Sequence, residues 1–292
     1  TLLGDPRGVF STSDTGTLLY QDAGAEAATS LAWFDRRGQR QALVGEMGTA
    51  RGVFLSPDNQ FVTVGMVGVD NRAALWRVNL SNNQRSRLTY DTGGDETSTF
   101  CAWSPDGRTV AYGAKRTGKV IVARTPAAGG QEEPLVDVPF AHTQGAMPRV
   151  TASTRDSSAI LYSAESRGGL WKLPLRPGAA EAGLTATALL KDTDGAQNVR
   201  LSPGERWITY QSTVAGGTVN SVFVDAYPSG GRRQQVADRS TLPLWSADGK
   251  LLYFAVDDQL SVVDVTEADG AIHFGPPRAL MPVIVGRGYS YD

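Results

Sequence analysis

Trp103-Ser104-Pro105-Asp106-Gly107, running on into Thr109-Val110-Ala111-Tyr112-Gly113, decides the fold. Serine can accept a hydrogen bond at the first position of a type I turn. Proline presets φ at the second position and glycine suits the fourth. Apolar runs flank the turn on both sides, so it reads as a tight connection between two strands. The same punctuation returns at Ser56-Pro57-Asp58, Thr154-Arg155-Asp156, Ser202-Pro203-Gly204 and Ser246-Ala247-Asp248-Gly249, with a worn copy at Ser13-Asp14-Thr15-Gly16. From anchor to anchor the chain advances 43, 48, 50, 48 and 44 residues. That period, carrying turns and strands, predicts a propeller.

Outward from each turn the repeats share one plan. A strand leads into the turn, a second leaves it, a third carries an aromatic or aliphatic pair, and the fourth is short and polar. Eight residues after the anchor stand Val64, Tyr112, Tyr162, Tyr210 and Phe254. Wide rings at one position suit the flat packing of sheet on sheet between neighbouring blades. Trp103 and Trp245, one residue ahead of their anchors, are expected to be buried at the base of their blades. The short charged fourth strands resist pairing with other chains. The expectation is an all-β, six-bladed propeller of four-stranded antiparallel blades, one domain over 1–292, with almost no helix. The tail Tyr289-Ser290-Tyr291-Asp292 should pair near the N-terminal strands and latch the ring. A type I turn only prefers glycine at its fourth position, so Gly107→Val should be mild.

Bulk composition excludes several classes of function. Lys plus Arg number 28 against 30 Asp plus Glu, so no net field recruits nucleic acid or an acidic membrane. No apolar run is long enough to insert into a bilayer. The single cysteine, Cys101, rules out an internal disulfide and reads as a buried, inert thiol. The start at Thr1, without methionine, leads us to expect a processed chain or a piece of a longer protein.

Motifs for catalysis fail one after another. Gly113 to Lys119 imitates a phosphate-binding loop, but Val120 stands where a magnesium-binding Ser or Thr is required. A β-branched strand follows where that motif needs a helix, so the segment reads as a hairpin loop. No Gly-x-Ser-x-Gly elbow occurs, and His142 and His273 have no motif around them. Two histidines and one cysteine leave no transition-metal set. The acidic loops Asp91–Glu96 and Asp192–Gly195 lack the twelve-residue calcium pattern and read as solvated turns. No cofactor is expected, and this segment is read as no enzyme.

A propeller offers a central channel whose mouth is ringed by the residues just ahead of each innermost strand. Repeat alignment places Arg51, Glu96, Arg149, Arg200, Arg239 and Tyr289 there. Arginines dominate, so the mouth favours an anionic small ligand, an acidic peptide or an acidic protein surface.

Leu31-Ala32-Trp33-Phe34-Asp35-Arg36-Arg37-Gly38, Leu75-Trp76-Arg77-Val78-Asn79-Leu80, Ser86-Arg87-Leu88-Thr89-Tyr90-Asp91 and the Trp-Ser-Pro-Asp-Gly copies resemble the TolB-like six-bladed propellers. Within that group the chain is most similar to the propeller region of acidobacterial-type serine/threonine protein kinases. The resemblance implies a sensor or scaffold module outside the cytoplasm, part of a membrane-anchored protein. In those kinases a catalytic domain and a membrane helix precede the propeller. This chain contains no His-Arg-Asp catalytic loop and no Asp-Phe-Gly. Such repeats also occur in translocation-system components, peptidase lids and sensors. The alternative is therefore the lid of a prolyl-oligopeptidase-like peptidase, or a lyase or hydrolase acting at the mouth.

Overall fold

The computed structural model describes residues 10–12, 18–23, 29–35, 39–68, 72–91, 94–138, 147–164, 169–175, 185–190, 196–213 and 219–282. All regular structure among them is strand. The first sheet runs in the order β1 (Phe10–Thr12), β2 (Leu18–Ala23), β3 (Thr29–Phe34), β4 (Arg40–Leu55), β5 (Phe61–Val67), β6 (Ala73–Asn79) and β7 (Arg85–Arg87). The second holds β8 (Glu96–Trp103), β9 (Thr109–Arg116), β10 (Lys119–Pro126) and β11 (Glu133–Asp137). The third holds β12 (Arg149–Ser153), β13 (Ala159–Ser163), β14 (Leu170–Pro174) and β15 (Thr187–Ala188). In the fourth are β16 (Gln197–Leu201), β17 (Trp207–Thr213), β18 (Asn220–Ala226) and β19 (Gln234–Ala237). The last contains β20 (Ser240–Trp245), β21 (Leu251–Val256), β22 (Gln259–Ala268), β23 (Ala271–Phe274) and β24 (Arg278–Pro282), with β24 pairing β22. Every pairing is antiparallel, and all but that of β22 with β24 join consecutive strands.

The blade count is therefore corrected from six to five, and the reason lies in β4. This strand of 16 residues meets no proline or Asx turn former along its length. Its first half pairs β3, from Phe34 opposite Arg40 to Thr29 opposite Gly48. Its second half pairs β5, from Thr49 opposite Val67 to Leu55 opposite Val62. The first two sequence repeats thus merge into one seven-stranded sheet, which folds on itself so that Leu19 and Leu31 pack on Val53, Val62 and Val64. Around the axis β4 lies against β8, β8 against β12, β12 against β16, β16 against β20, and β1 against both β20 and β4. Ala32 and Phe34 of the first sheet share a core cluster with Tyr253, Leu260 and Val262 of the last, which closes the ring. The latch expected of residues 289–292, and the worn turn at Ser13, lie outside the described residues.

Between sheets the repeated rings do what their spacing predicts. Tyr112, Tyr162, Tyr210 and Phe254 are among the largest fully buried side chains, and Trp103 and Trp245 are buried too. The indole Nε1 of Trp103 donates to the carbonyl of Phe54 on the preceding sheet at 3.0 Å. Small residues serve the same packing where backbones must meet. A Cβ on Gly113 would stand 2.0 Å from the carbonyl oxygen of Pro148, and one on Gly65 would stand 2.5 Å from that of Thr99.

The turn anchors owe their identity to one hydroxyl. Ser56, Ser104, Thr154, Ser202 and Ser246 each accept from the backbone N–H five residues on, at 2.9–3.1 Å. Ser104 also donates to Asp106 at 2.6 Å, and that carboxylate accepts from the N–H of Arg108 at 3.0 Å. The fourth turn position is left-handed, with φ +68° at Gly107 and +69° at Gly249. A β-branched residue is strained in this region even where its side chain has room, so Gly107→Val carries a cost beyond the loss of a preferred residue.

Two predictions follow from the turns. Gly107→Val should cost about 1–2 kcal/mol in urea unfolding, whereas Gly107→Asn should cost a few tenths, as Asn59 already occupies the same position at φ +56°. The Ser104 hydroxyl, more than any other group, holds the Asp106 carboxyl below its ordinary 3.8, and Ser56 does the same for Asp58. At Asp156 the hydroxyl and backbone of Ser158 bring the value to about 2. A carboxyl depressed in the folded state stabilises fully above its unfolded pKa and loses that contribution as pH falls through the folded one. The urea midpoint should therefore drop between about pH 4 and pH 2, and Asp106→Asn should flatten that slope.

Candidate functional site on the channel axis

The innermost strands are not smooth. Each of β4, β8, β12, β16 and β20 steps out of register with its partner once, at Arg51, at Ser98–Phe100, at Thr151, at Asn198–Val199 and at Leu242–Pro243. Such bulges re-aim side chains. Asn198 and Leu242 take φ of +51° and +55° to form them. Gln211 on β17 ties two bulges together, its Oε1 accepting from Asn198 Nδ2 and from the N–H of Leu242, both at 2.9 Å.

Two of the expected arginines come together inside this lining. Arg149, only 7% exposed, donates from Nη1 to Gln197 Oε1 at 3.0 Å, and its guanidinium lies 4.7 Å over the Phe100 ring. Arg200, half-buried, donates from Nη1 to the carbonyls of Thr151 at 3.1 Å and Val199 at 2.9 Å. Its guanidinium lies 6.0 Å from the Phe54 ring centroid, and Phe54 meets Phe100 edge-on at 6.2 Å. The arrangement is a column of cation, ring, ring and cation. Arg200 has no carboxylate partner among the described residues, and burial pushes its pKa down to about 10, so it is cationic at neutral pH. A void of about 20 Å³ beside it, walled by Phe54, Phe100, Asn198, Leu242, Pro243 and Leu244, holds one water-sized group.

The other expected residues among those described are exposed. Arg51 sits exposed on its bulge, and Arg239 is exposed and paired with Asp257 at 3.3 Å. Glu96 is exposed and paired with Lys115 at 3.3 Å, and it lines a separate cleft of about 430 Å³ with Arg72, Asp95 and Met147. Tyr289 lies outside the described residues. Of the five described, the structure brings together Arg149 and Arg200, and the bulges turn neighbouring inner-strand positions in different directions. Phe54, Phe100, Gln197 and Asn198 were missed. Pro243 inside a strand and Gly52 inside β4 are the signals that could have revealed bulges, since neither suits a regular ladder.

Other expectations meet the structure directly. Gly113 to Lys119 is a β9–β10 hairpin turning at Thr117 and Gly118, as read. His273 is an exposed residue of β23, and His142 lies outside the described residues, as does the Asp192 loop. The Asp91 loop is corrected from a solvated turn: Asp91 is buried beside Arg116 at 3.2 Å. Arg116 in turn clasps Glu132, whose Oε2 also accepts from the Tyr112 hydroxyl at 2.6 Å. No group of three His, Cys, Asp or Glu among the described residues could hold a metal ion. No helix among them is long and apolar enough to cross a membrane.

No family model matches the chain, and no curated protein matches it. Solved structures do. TolB from Acinetobacter baumannii superposes with a TM-score of 0.70 at 16% identity, over 94% of this chain and 66% of that one. A TolB-type protein from Agrobacterium tumefaciens gives 0.66 at 19%, over 91% and 92%. An oligogalacturonate lyase in complex with manganese gives 0.59 at 14%, over 88% and 73%. At such identities the likeness is one of fold, and the chain has a TolB-like β-propeller fold.

Cys101 is wholly buried next to this column, and burial pushes its thiol pKa well up. It should resist a thiol reagent in the folded chain and react with one equivalent once urea unfolds it.

Proposed function

We propose that this chain is a non-catalytic binding module that captures a carboxylate-bearing ligand, in an acidic peptide or protein surface, over the channel mouth. Arg200 carries this reading: a half-buried cation on the channel lining with carbonyls and a ring for company and no acid among the described residues. A charge left so is improved by an anion, and the void beside it has room for a single oxygen-sized group. Arg149, on the neighbouring inner strand, adds positive potential to the same lining. The resemblance to kinase propellers supports an extracytoplasmic sensor or scaffold region of a membrane-anchored protein. A kinase domain and a membrane helix encoded upstream in the same reading frame would support that placement, and a hydrolase domain in their stead would contradict it.

The test is titration of a glutamate-rich peptide and of its glutamine counterpart. The acidic peptide should bind, weaken as salt shortens electrostatic reach below about 8 Å, and lose about tenfold or more on Arg200→Ala. Equal binding of both peptides, or binding unmoved by both Arg149→Ala and Arg200→Ala at low salt, contradicts the proposal. A second reading, an enzyme working at the mouth, draws on the cleft that holds Glu96 and Asp95 beside Arg72. Turnover of an acidic oligosaccharide that Glu96→Gln abolishes would favour it.

A further inference from the structure

The junctions between sheets repeat, yet one of them is hollow. Where the first sheet meets the second, Phe54, Phe61 and Trp103 come from the two facing sheets. The corresponding positions one junction on are Ala102, Thr109 and Ser153. The register fixes this correspondence: Trp103 lies opposite Val110 as Ser153 lies opposite Ile160, one residue ahead of the anchor in both sheets. Where the fourth sheet meets the last, the same sites hold Trp207 and Trp245. Where the third sheet meets the fourth, Ala152 and Ala159 are small but Leu201 keeps a large side chain at the Trp103 position; between the second and third sheets all three are small. The space left there is a pocket of about 140 Å³, walled by Ala102, Ala111, Ser153, Ile160 and Leu175. A cavity of about 150 Å³ is enough for a benzene ring.

We infer that this pocket between the second and third sheets binds a small planar aromatic molecule of indole size, seated where the Trp103 indole sits one junction earlier. Three features of the chain define the class. The first is shape, since the pocket keeps the outline of a junction built around an indole. The second is an acceptor: Phe54, whose carbonyl takes the Trp103 N–H, is replaced at the hollow junction by Ala102, so a ring N–H finds a carbonyl at the same place. The third is a cation beside the seat, at the place that the Phe61 ring leaves. Arg77, opposite Thr63 on the first sheet, lies 4.5 Å over the Phe61 ring. Its counterpart Arg124, opposite Ala111, lines the pocket and is held by Glu133 at 2.8 and 3.0 Å. Asp106 and Ser157, both exposed, stand at the rim, so the pocket opens towards the turns and away from the arginine column.

Ligand-observed NMR with indole as the probe tests this on the full chain. Saturable binding is expected. Ser153→Trp, which installs the missing ring, should weaken it by about tenfold or more, and Arg200→Ala should leave it unchanged. If Ser153→Trp does not fold, Ala102→Phe, which restores the facing ring, must block the probe in its place. Absence of saturable binding to the parent chain, or binding that survives whichever of the two fillers folds, overturns the inference.

Discussion

A ring of sheets is held by the side chains that fill the junctions between neighbouring faces. Twisted sheets leave a wedge between them, and wide rings from facing strands fill it. Tyr112, Tyr162, Tyr210 and Phe254 recur at one position for this reason, and all are fully buried. Trp103 adds a directional element, since its N–H binds the Phe54 carbonyl across the junction. The hydroxyl turns then fix where each pair of strands reverses, so the rings arrive at matching heights. The same constraint closes the ring, where Phe34 of the first sheet meets Leu260 and Val262 of the last.

The two recognition surfaces are departures from that regularity. On the axis, bulges in the inner strands turn Arg149 and Arg200 inward onto Phe100 and Phe54. Gly65 leaves room for the bulge at Thr99, and Gly113 for the chain at Pro148 entering β12, because only a missing Cβ lets the neighbouring backbone come so near. Between the second and third sheets, Ser153 stands where a tryptophan would complete the wedge. Regular packing holds the frame rigid, and the irregular places are where a ligand is met.

The fold class was legible because its determinants are local and repeated. A turn hydroxyl, a ring eight residues on and a tryptophan one residue before are each visible without knowing any long-range contact. Blade separation was not legible, because it depends on whether Gly45–Thr49 turns or stays extended, and no residue there forces a turn. The arginines were expected just ahead of the inner strands, whereas Arg51 and Arg200 lie within β4 and β16 and Arg149 begins β12. Their directions depend on one-residue bulges, and a slip of one residue reverses a side chain. The left-handed turn position of Gly107 was obscured because Asn, Ser and Glu occupy it in other copies, at φ between +50° and +57°. The hollow junction could have been found by aligning repeats and comparing side-chain volumes column by column.

The central claim is that filled junctions hold the ring, and Trp103 tests it most directly. Urea unfolding of Trp103→Ala should show a loss of about 3–5 kcal/mol, with the transition still cooperative, since a buried indole and its hydrogen bond across the junction are both removed. A loss under about 1 kcal/mol would mean that the ring is not core, and that the register relating one junction to the next is wrong.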